Sequence, residues 1–251
     1  MIPKVIHYCW FGGGKLPDAA IRCIESWKKH CPDYRIVKWD ETNFDIGCNR
    51  YAKDAYAAKK WSLVTDVARL KILYEHGGIY LDTDVEIIRP LDSLLKNRAF
   101  MGIESTGWIN TGSGYGAEKG LPILKELLDE FNTAAFSPEN PAIFTIMDSV
   151  MKKKGYVFNN QIQQIDHVTI YPMDYFAPIN LTTRKLKITK NTYSIHHYTG
   201  SWQSEEYKKS TQFRAFCCKV FGENIGLRIY GHCSAIKAEG FVRYIKKRIK
   251  R

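Results

Sequence analysis

At 251 residues the chain can bury the core of one α/β domain, alone or with a small appendage, but not of two large ones. Apolar residues make up 45% and charged residues 25%, which excludes a disordered or fibrous protein. The formal net charge of +11 lies almost wholly in the last 44 residues, so the first two hundred residues are nearly neutral and only the C-terminal end favours anionic surfaces.

In chain order, Pro3 to Trp10 is a short β-type run that stops at Phe11-Gly12-Gly13-Gly14, a buried first strand opening into a glycine loop. Asp18 to His30 carries Ile21, Ile24 and Trp27 at three-residue spacing and predicts an amphipathic helix ended near Pro32. Tyr34 to Trp39 is a second strand, and this β-loop-α-β opening points to a parallel sheet with covering helices. After a polar stretch around Asn43 to Lys53, a helix from about Ser62 to His76 presents Val67, Leu70, Leu73 and Tyr74 to the core. Gly77-Gly78 closes it. Ile79-Tyr80-Leu81 is a buried strand running into Asp82-Thr83-Asp84. Beyond Pro90 the pattern loosens: a strand near Phe100 to Ile103, a glycine-rich stretch from Gly112 to Gly116, helices near Leu121 to Phe131 and Ala142 to Met151, and a late strand from Tyr193 to Tyr198. The boundary expected between a catalytic domain and a basic helical extension divides the chain into 1–207 and 208–251.

Seven cysteines without a CxxC pair or zinc-like spacing fit a reducing compartment. Met1 to Trp10 does not read as a signal peptide, and no apolar run is long enough for a membrane span, so the expected location is the cytoplasm. The tail interleaves Phe213, Phe216, Phe221, Tyr230, Phe241 and Tyr244 with lysine and arginine, a composition suited to the inner face of an anionic membrane. No nucleic-acid motif accompanies that charge, and Gly12-Gly13-Gly14-Lys15 lacks the spacing of a P-loop.

On a strand, Asp82 and Asp84 would project to one face, and two convergent carboxylates are costly without a cation between them. A hard divalent ion, Mn²⁺ or Mg²⁺, would supply that charge and neutralise a diphosphate as it leaves. Asp66 and Arg69 stand three apart on the preceding helix, placed to meet a sugar hydroxyl or a phosphate oxygen; the plain alternative is a local ion pair. A haloacid-dehalogenase-type phosphatase also places DxD after an apolar strand, but Glu86 stands where that signature wants Thr or Val. A non-enzymatic basic module is the other alternative.

Three blocks, Ile2 to Gly12, Ser62 to Arg69 and Tyr74 to Asp84, resemble those of glycosyltransferase family 32, the DXD sugar-binding enzymes related to the glucosylating domains of large clostridial toxins. The resemblance is strong to about residue 95 and thin afterwards. It implies a GT-A fold, a Rossmann-like, mostly parallel sheet flanked by helices. It also implies a nucleotide-sugar donor, usually a UDP-sugar, a Mn²⁺-type ion, and retention of configuration. Trp10 then matches an aromatic stacking on the donor base, Asp66 and Arg69 the pair that grips the donor sugar, and Asp82 and Asp84 the metal motif, with Thr83 beside the donor. The late segment Ser194 to Trp202 is similar to the one that closes the metal site in related enzymes. His197 is favoured over His196 as third ligand because the His-Tyr-x-Gly order begins there, with Ser201 and Trp202 as a lid over the diphosphate. Asn110 falls where such folds build the acceptor side. Together these expectations describe a hexosyltransferase acting on a glycan or lipid-linked acceptor in bacterial surface polysaccharide assembly.

Overall fold

The structure, a computed structural model, describes residues 1–138, 141–200 and 203–240. The chain forms two compact units, one of Met1–Ile179 with Leu186–Trp202, the other of Asn180–Lys185 with the chain from Gln203 onward.

In the first unit, β1 (Val5–Cys9), α1 (Asp18–His30) and β2 (Arg35–Trp39) make the expected opening, the two strands pairing in parallel from Val5↔Arg35 to Cys9↔Trp39. Helix α1 buries Ala20, Cys23, Ile24 and Trp27 along one stripe, and Trp27 Nε1 donates to the carbonyl of Val85 at 2.6 Å. A helix not expected from the sequence, α2 (Arg50–Ala57), follows. Its N-terminus is capped by the Asn49 side chain, and its buried face is only Tyr51, Ala52 and Ala55, too short and small for the periodicity to stand out.

The long helix α3 (Trp61–His76) is buried on most of its circumference, including Asp66 and Arg69. It ends at Gly77 (φ 65°), whose N–H reaches the Leu73 carbonyl at 2.9 Å before the chain turns into β3 (Gly78–Tyr80). Only glycines fit this turn: a Cβ on Gly77 would lie 2.9 Å from the Lys119 nitrogen and one on Gly78 2.8 Å from the Val5 oxygen.

After β4 (Val85–Ile87) come β5 (Ala99–Ile103), β6 (Ile109–Asn110), β7 (Tyr115–Ala117), α4 (Pro122–Thr133), α5 (Ala142–Lys153), β8 (Gln163–Ile165), β9 (Val168–Tyr171), α6 (Met173–Phe176) and β10 (Ser194–His196). The main sheet runs β2-β1-β3-β7-β5-β9-β8, with β6 beside β5. Because β7 is antiparallel to both β3 and β5, the strands β2, β1, β3, β5 and β9 share one direction. Alternate residues feed two cores: Tyr80 and Met101 pack with α2, α3, α4 and α5, while Ile79 and Phe100 pack with Trp27 of α1. A separate two-stranded sheet joins β10 to β4, His196 opposite Val85.

The second unit is a helical hairpin of α7 (Glu205–Phe221) and α8 (Glu223–Glu239). Ser204 caps α7, and Gly226 of α8 sits so close that a Cβ there would be 2.5 Å from the Cys217 backbone. Among the described residues, no helix is long and apolar enough to cross a membrane.

Candidate active site

Strand β3 stops at Tyr80, so Asp82 and Asp84 do not lie on a strand as expected; they occupy a tight turn closed by the Val85 N–H on the Asp82 carbonyl at 3.1 Å. The turn, rather than strand alternation, brings the two carboxylates together at the carboxyl ends of β1 and β3, where parallel α/β sheets bind ligands. One ligand atom each from Asp82, Asp84 and His196 lies within 4.8 Å of the others.

The histidine is His196, a correction to the sequence expectation of His197. Pairing of β10 with β4 fixes the register: His196 Nε2 faces Asp84 Oδ1 at 3.1 Å, while the next residue turns the other way and His197 Nε2 meets Glu86 Oε2 at 2.9 Å. Asp84 Oδ2 also accepts from the Thr199 N–H at 2.8 Å and its hydroxyl at 3.0 Å. Burial works against both charges of the Asp84–His196 pair, yet each sustains the other. The imidazole and the Thr199 bonds draw Asp84 below the ordinary carboxylate range, and Asp84 raises His196.

Asp82 is held from the helix side. Its Oδ1 accepts from the Tyr80 hydroxyl at 3.1 Å and lies 3.5 Å from Arg69 Nη2. The Arg69 guanidinium, stacked over the Tyr80 ring at 5.0 Å, also reaches Asp66 Oδ1 at 3.1 Å, Thr111 Oγ1 at 3.0 Å and the Thr65 carbonyl at 3.2 Å. Asp66 and Arg69 are thus both buried beside the acidic turn. Burial pushes the Asp66 carboxyl up to about 7, with Arg69 pulling the other way.

Asn110 is committed to the loop that follows it. Its Oδ1 accepts from the Gly112 and Ser113 N–H groups at 2.7 and 3.0 Å, and the Gly112 carbonyl accepts the Asp82 N–H at 2.8 Å. Its Nδ2 donates to Glu104 at 3.0 Å. Trp10 is half-buried at the end of β1, its Nε1 donating to the Gly14 carbonyl at 2.6 Å. Thr83 sits at the crest of the acidic turn, and Ser201 and Trp202 lie outside the described residues. Glu104 was not read from the sequence, and Thr111, Tyr198 and Thr199 lay in segments singled out there without a part of their own, because their contacts join distant segments. Only the glycine-rich stretch from Gly112 hinted at a close backbone approach.

Two carboxylates and one imidazole converging in a partly buried turn suit a divalent ion of the Mn²⁺ or Mg²⁺ type. Among solved structures the chain resembles the PaToxG glycosyltransferase, with a TM-score of 0.51 at 18% identity, over 61% of this chain and 69% of that one. The fold is therefore of the GT-A type. Residues 17–101 match the family described as a glycosyltransferase sugar-binding region containing a DXD motif, the kind of family that the sequence blocks resemble.

Among relatives, inositol phosphoceramide mannosyltransferase 3 of Schizosaccharomyces pombe is 31% identical over 156 residues, covering 59% of this chain and 42% of the relative. The human alpha-1,4-N-acetylglucosaminyltransferase is 30% identical over 99 residues, 38% of this chain and 28% of that protein. The chain spans less than half the length of either relative.

Proposed function

We propose that this chain is a retaining, metal-dependent glycosyltransferase that moves a hexose from a nucleotide diphosphate donor, a UDP-sugar, to a glycan or lipid-linked acceptor. The observation that carries the reading is the convergence of Asp82, Asp84 and His196 beside the buried Asp66–Arg69 pair. The three ligands would hold Mn²⁺ or Mg²⁺, and the ion when bound would offset the charge of the diphosphate leaving group. Arg69 presents its guanidinium toward the acidic turn and Asp66 accepts from donor-sugar hydroxyls, while Thr83 lines the donor. Trp10, its N–H already bonded to Gly14, has only its ring faces left for a ligand, which suits stacking on the donor base. Ser201 and Trp202 would cover the diphosphate, and Asn110 shapes the acceptor side through the loop it holds.

In the transfer, the bond from the anomeric carbon to the diphosphate oxygen breaks and a bond to the acceptor hydroxyl oxygen forms on the same face. The hydroxyl proton passes to the departing phosphate. No carboxylate of the chain is needed as a covalent nucleophile.

The lipid-linked acceptor is supported by relatives named as inositol phosphoceramide mannosyltransferases. We assign the enzyme to the inner face of the cytoplasmic membrane, in bacterial surface polysaccharide assembly, held there by the basic C-terminal segment. On α7, Phe213, Phe216 and Val220 are exposed at helical spacing, with Lys219 beside them. The full chain should bind vesicles containing anionic lipid, and Phe216→Asp with Lys219→Glu should weaken that binding severalfold. Unchanged binding would remove the membrane assignment.

Incubating the protein with Mn²⁺ and a panel of nucleotide sugars tests the core reading. Slow, metal-dependent hydrolysis of one donor is expected, and it should vanish in Asp84→Ala. If no donor turns over and Mn²⁺ does not bind, the reading is wrong.

A further inference from the structure

Glu104 follows β5 and is only 6% exposed, a setting in which a carboxylate is costly unless donors surround it. Three do. Thr106 Oγ1 donates to Oε1 at 2.7 Å, Asn110 Nδ2 donates to Oε2 at 3.0 Å, and the Tyr198 hydroxyl donates to the same Oε2 at 3.3 Å.

Two of these donors lead to opposite sides of the acidic cluster. Asn110 holds the Gly112 amide, and the Gly112 carbonyl takes the N–H of Asp82. Tyr198 stacks on His196, ring centroids 4.0 Å apart and planes 26° apart, from a left-handed backbone (φ 51°) that a bulky residue seldom adopts. A metal-binding histidine is ordinarily oriented by a hydrogen bond on its second ring nitrogen. Here His196 Nδ1 is buried with no such partner among the described residues. Besides the Asp84 contact at Nε2, the ring is met on its face by the stacked phenol, whose hydroxyl Glu104 accepts.

We infer that Glu104 is a positioning residue: a single buried carboxylate that orients both the Asp82 arm and the His196 arm of the cation site, through Asn110 and Tyr198 respectively. The inference rests on the cation-binding reading of that cluster. What it adds is a role for hydrogen-bond geometry, not charge, at residue 104. A glutamine fits the same place, since its amide oxygen can accept from Asn110 and Tyr198 while its amide nitrogen donates to the Thr106 hydroxyl.

The test is the affinity of the full chain for Mn²⁺ alone, measured by calorimetry, together with the thermal midpoint without metal. Glu104→Ala should weaken Mn²⁺ binding about tenfold or more. Glu104→Gln should restore it to within about threefold of the parent, an outcome that loss of a charge would not give. Tyr198→Phe keeps the stacked ring and removes its anchor. It should weaken binding severalfold with little change in thermal midpoint, and it serves as the probe should Glu104→Ala not fold. Adding Tyr198→Phe to Glu104→Ala should not deepen the loss seen in Glu104→Ala, because the Tyr198 arm is already cut there. Parent-like binding in both Glu104→Ala and Tyr198→Phe, or Glu104→Gln binding as weakly as Glu104→Ala, overturns the inference. Absence of Mn²⁺ binding in the parent chain instead overturns the cation reading beneath it.

Discussion

Gly112 lies flat against the acidic turn: a Cβ there would sit 1.9 Å from Asp82 Oδ2 and 3.0 Å from Arg69 Nη1. Gly112→Ala must therefore push the Asp82 carboxylate off its present line, and we expect loss of Mn²⁺ binding with only part of the fold's stability sacrificed. Calorimetry and thermal unfolding on one sample separate the two. Asp82→Ala and Asp84→Ala should abolish transfer while the chain stays folded, since both side chains border solvent and serve the ligand more than the core. Full activity in either variant after chelation of metal would refute that role. At this scale the convergence of Asp82, Asp84, Asp66 and Arg69 was legible because they lie within 19 residues of one another, on elements whose patterns are strong. The histidine that joins the two carboxylates was not. Choosing His196 over His197 requires the register of β10 on β4, which two short runs far apart in the chain do not announce.

At the scale of elements, α3 carries Asp66 and Arg69, β3 leads into the acidic turn, and their junction should respond to pH. His7 on β1 is neutral in the folded chain: burial lowers its pKa to about 4, partly offset by its bond to the Gly77 carbonyl at 2.9 Å, while Nδ1 accepts from Trp39. In the unfolded chain the imidazole takes up its proton near the ordinary value of about 6.5. Between these values the unfolded state binds a proton that the folded state does not. Stability should hold above pH about 6.5 and fall as the pH drops toward 4, by about 3 kcal/mol at most. Urea unfolding across that window should follow this slope, and His7→Gln should flatten it. Within α3, Arg69→Met would leave Asp66 buried without its partner, and a loss of roughly 3–5 kcal/mol is expected by chemical denaturation. Helix α3 was readable because Gly77-Gly78 marks its end sharply. Helix α2, β8 and β9 were not, since the first buries only Tyr51, Ala52 and Ala55 and the others run to three and four residues each.

At the scale of the whole molecule, a parallel sheet with covering helices followed from the β-α-β opening, and the GT-A architecture from the family resemblance of the sequence blocks. The antiparallel insertion of β7 between β3 and β5 lay beyond any local pattern, because it arises from a strand of three residues. The second unit starts at Gln203 and includes Asn180–Lys185, a segment no composition shift sets apart, whereas the sequence expectation drew its line between 207 and 208. Arg214 on α7 donates to the Leu181 carbonyl at 3.0 Å within that unit.

The small β4–β10 sheet unites residues more than a hundred positions apart, with His197 and Glu86 separated by 111 in sequence. An imidazole delivered from so far along the chain reaches Asp82 and Asp84 only where β10 has paired with β4. Partly collapsed chains therefore lack a competent ion pocket, and a cation would favour the native ensemble over every shorter-range alternative. In a denaturant titration, release of Mn²⁺ should coincide with the global transition, and raising its concentration should move that transition to higher denaturant.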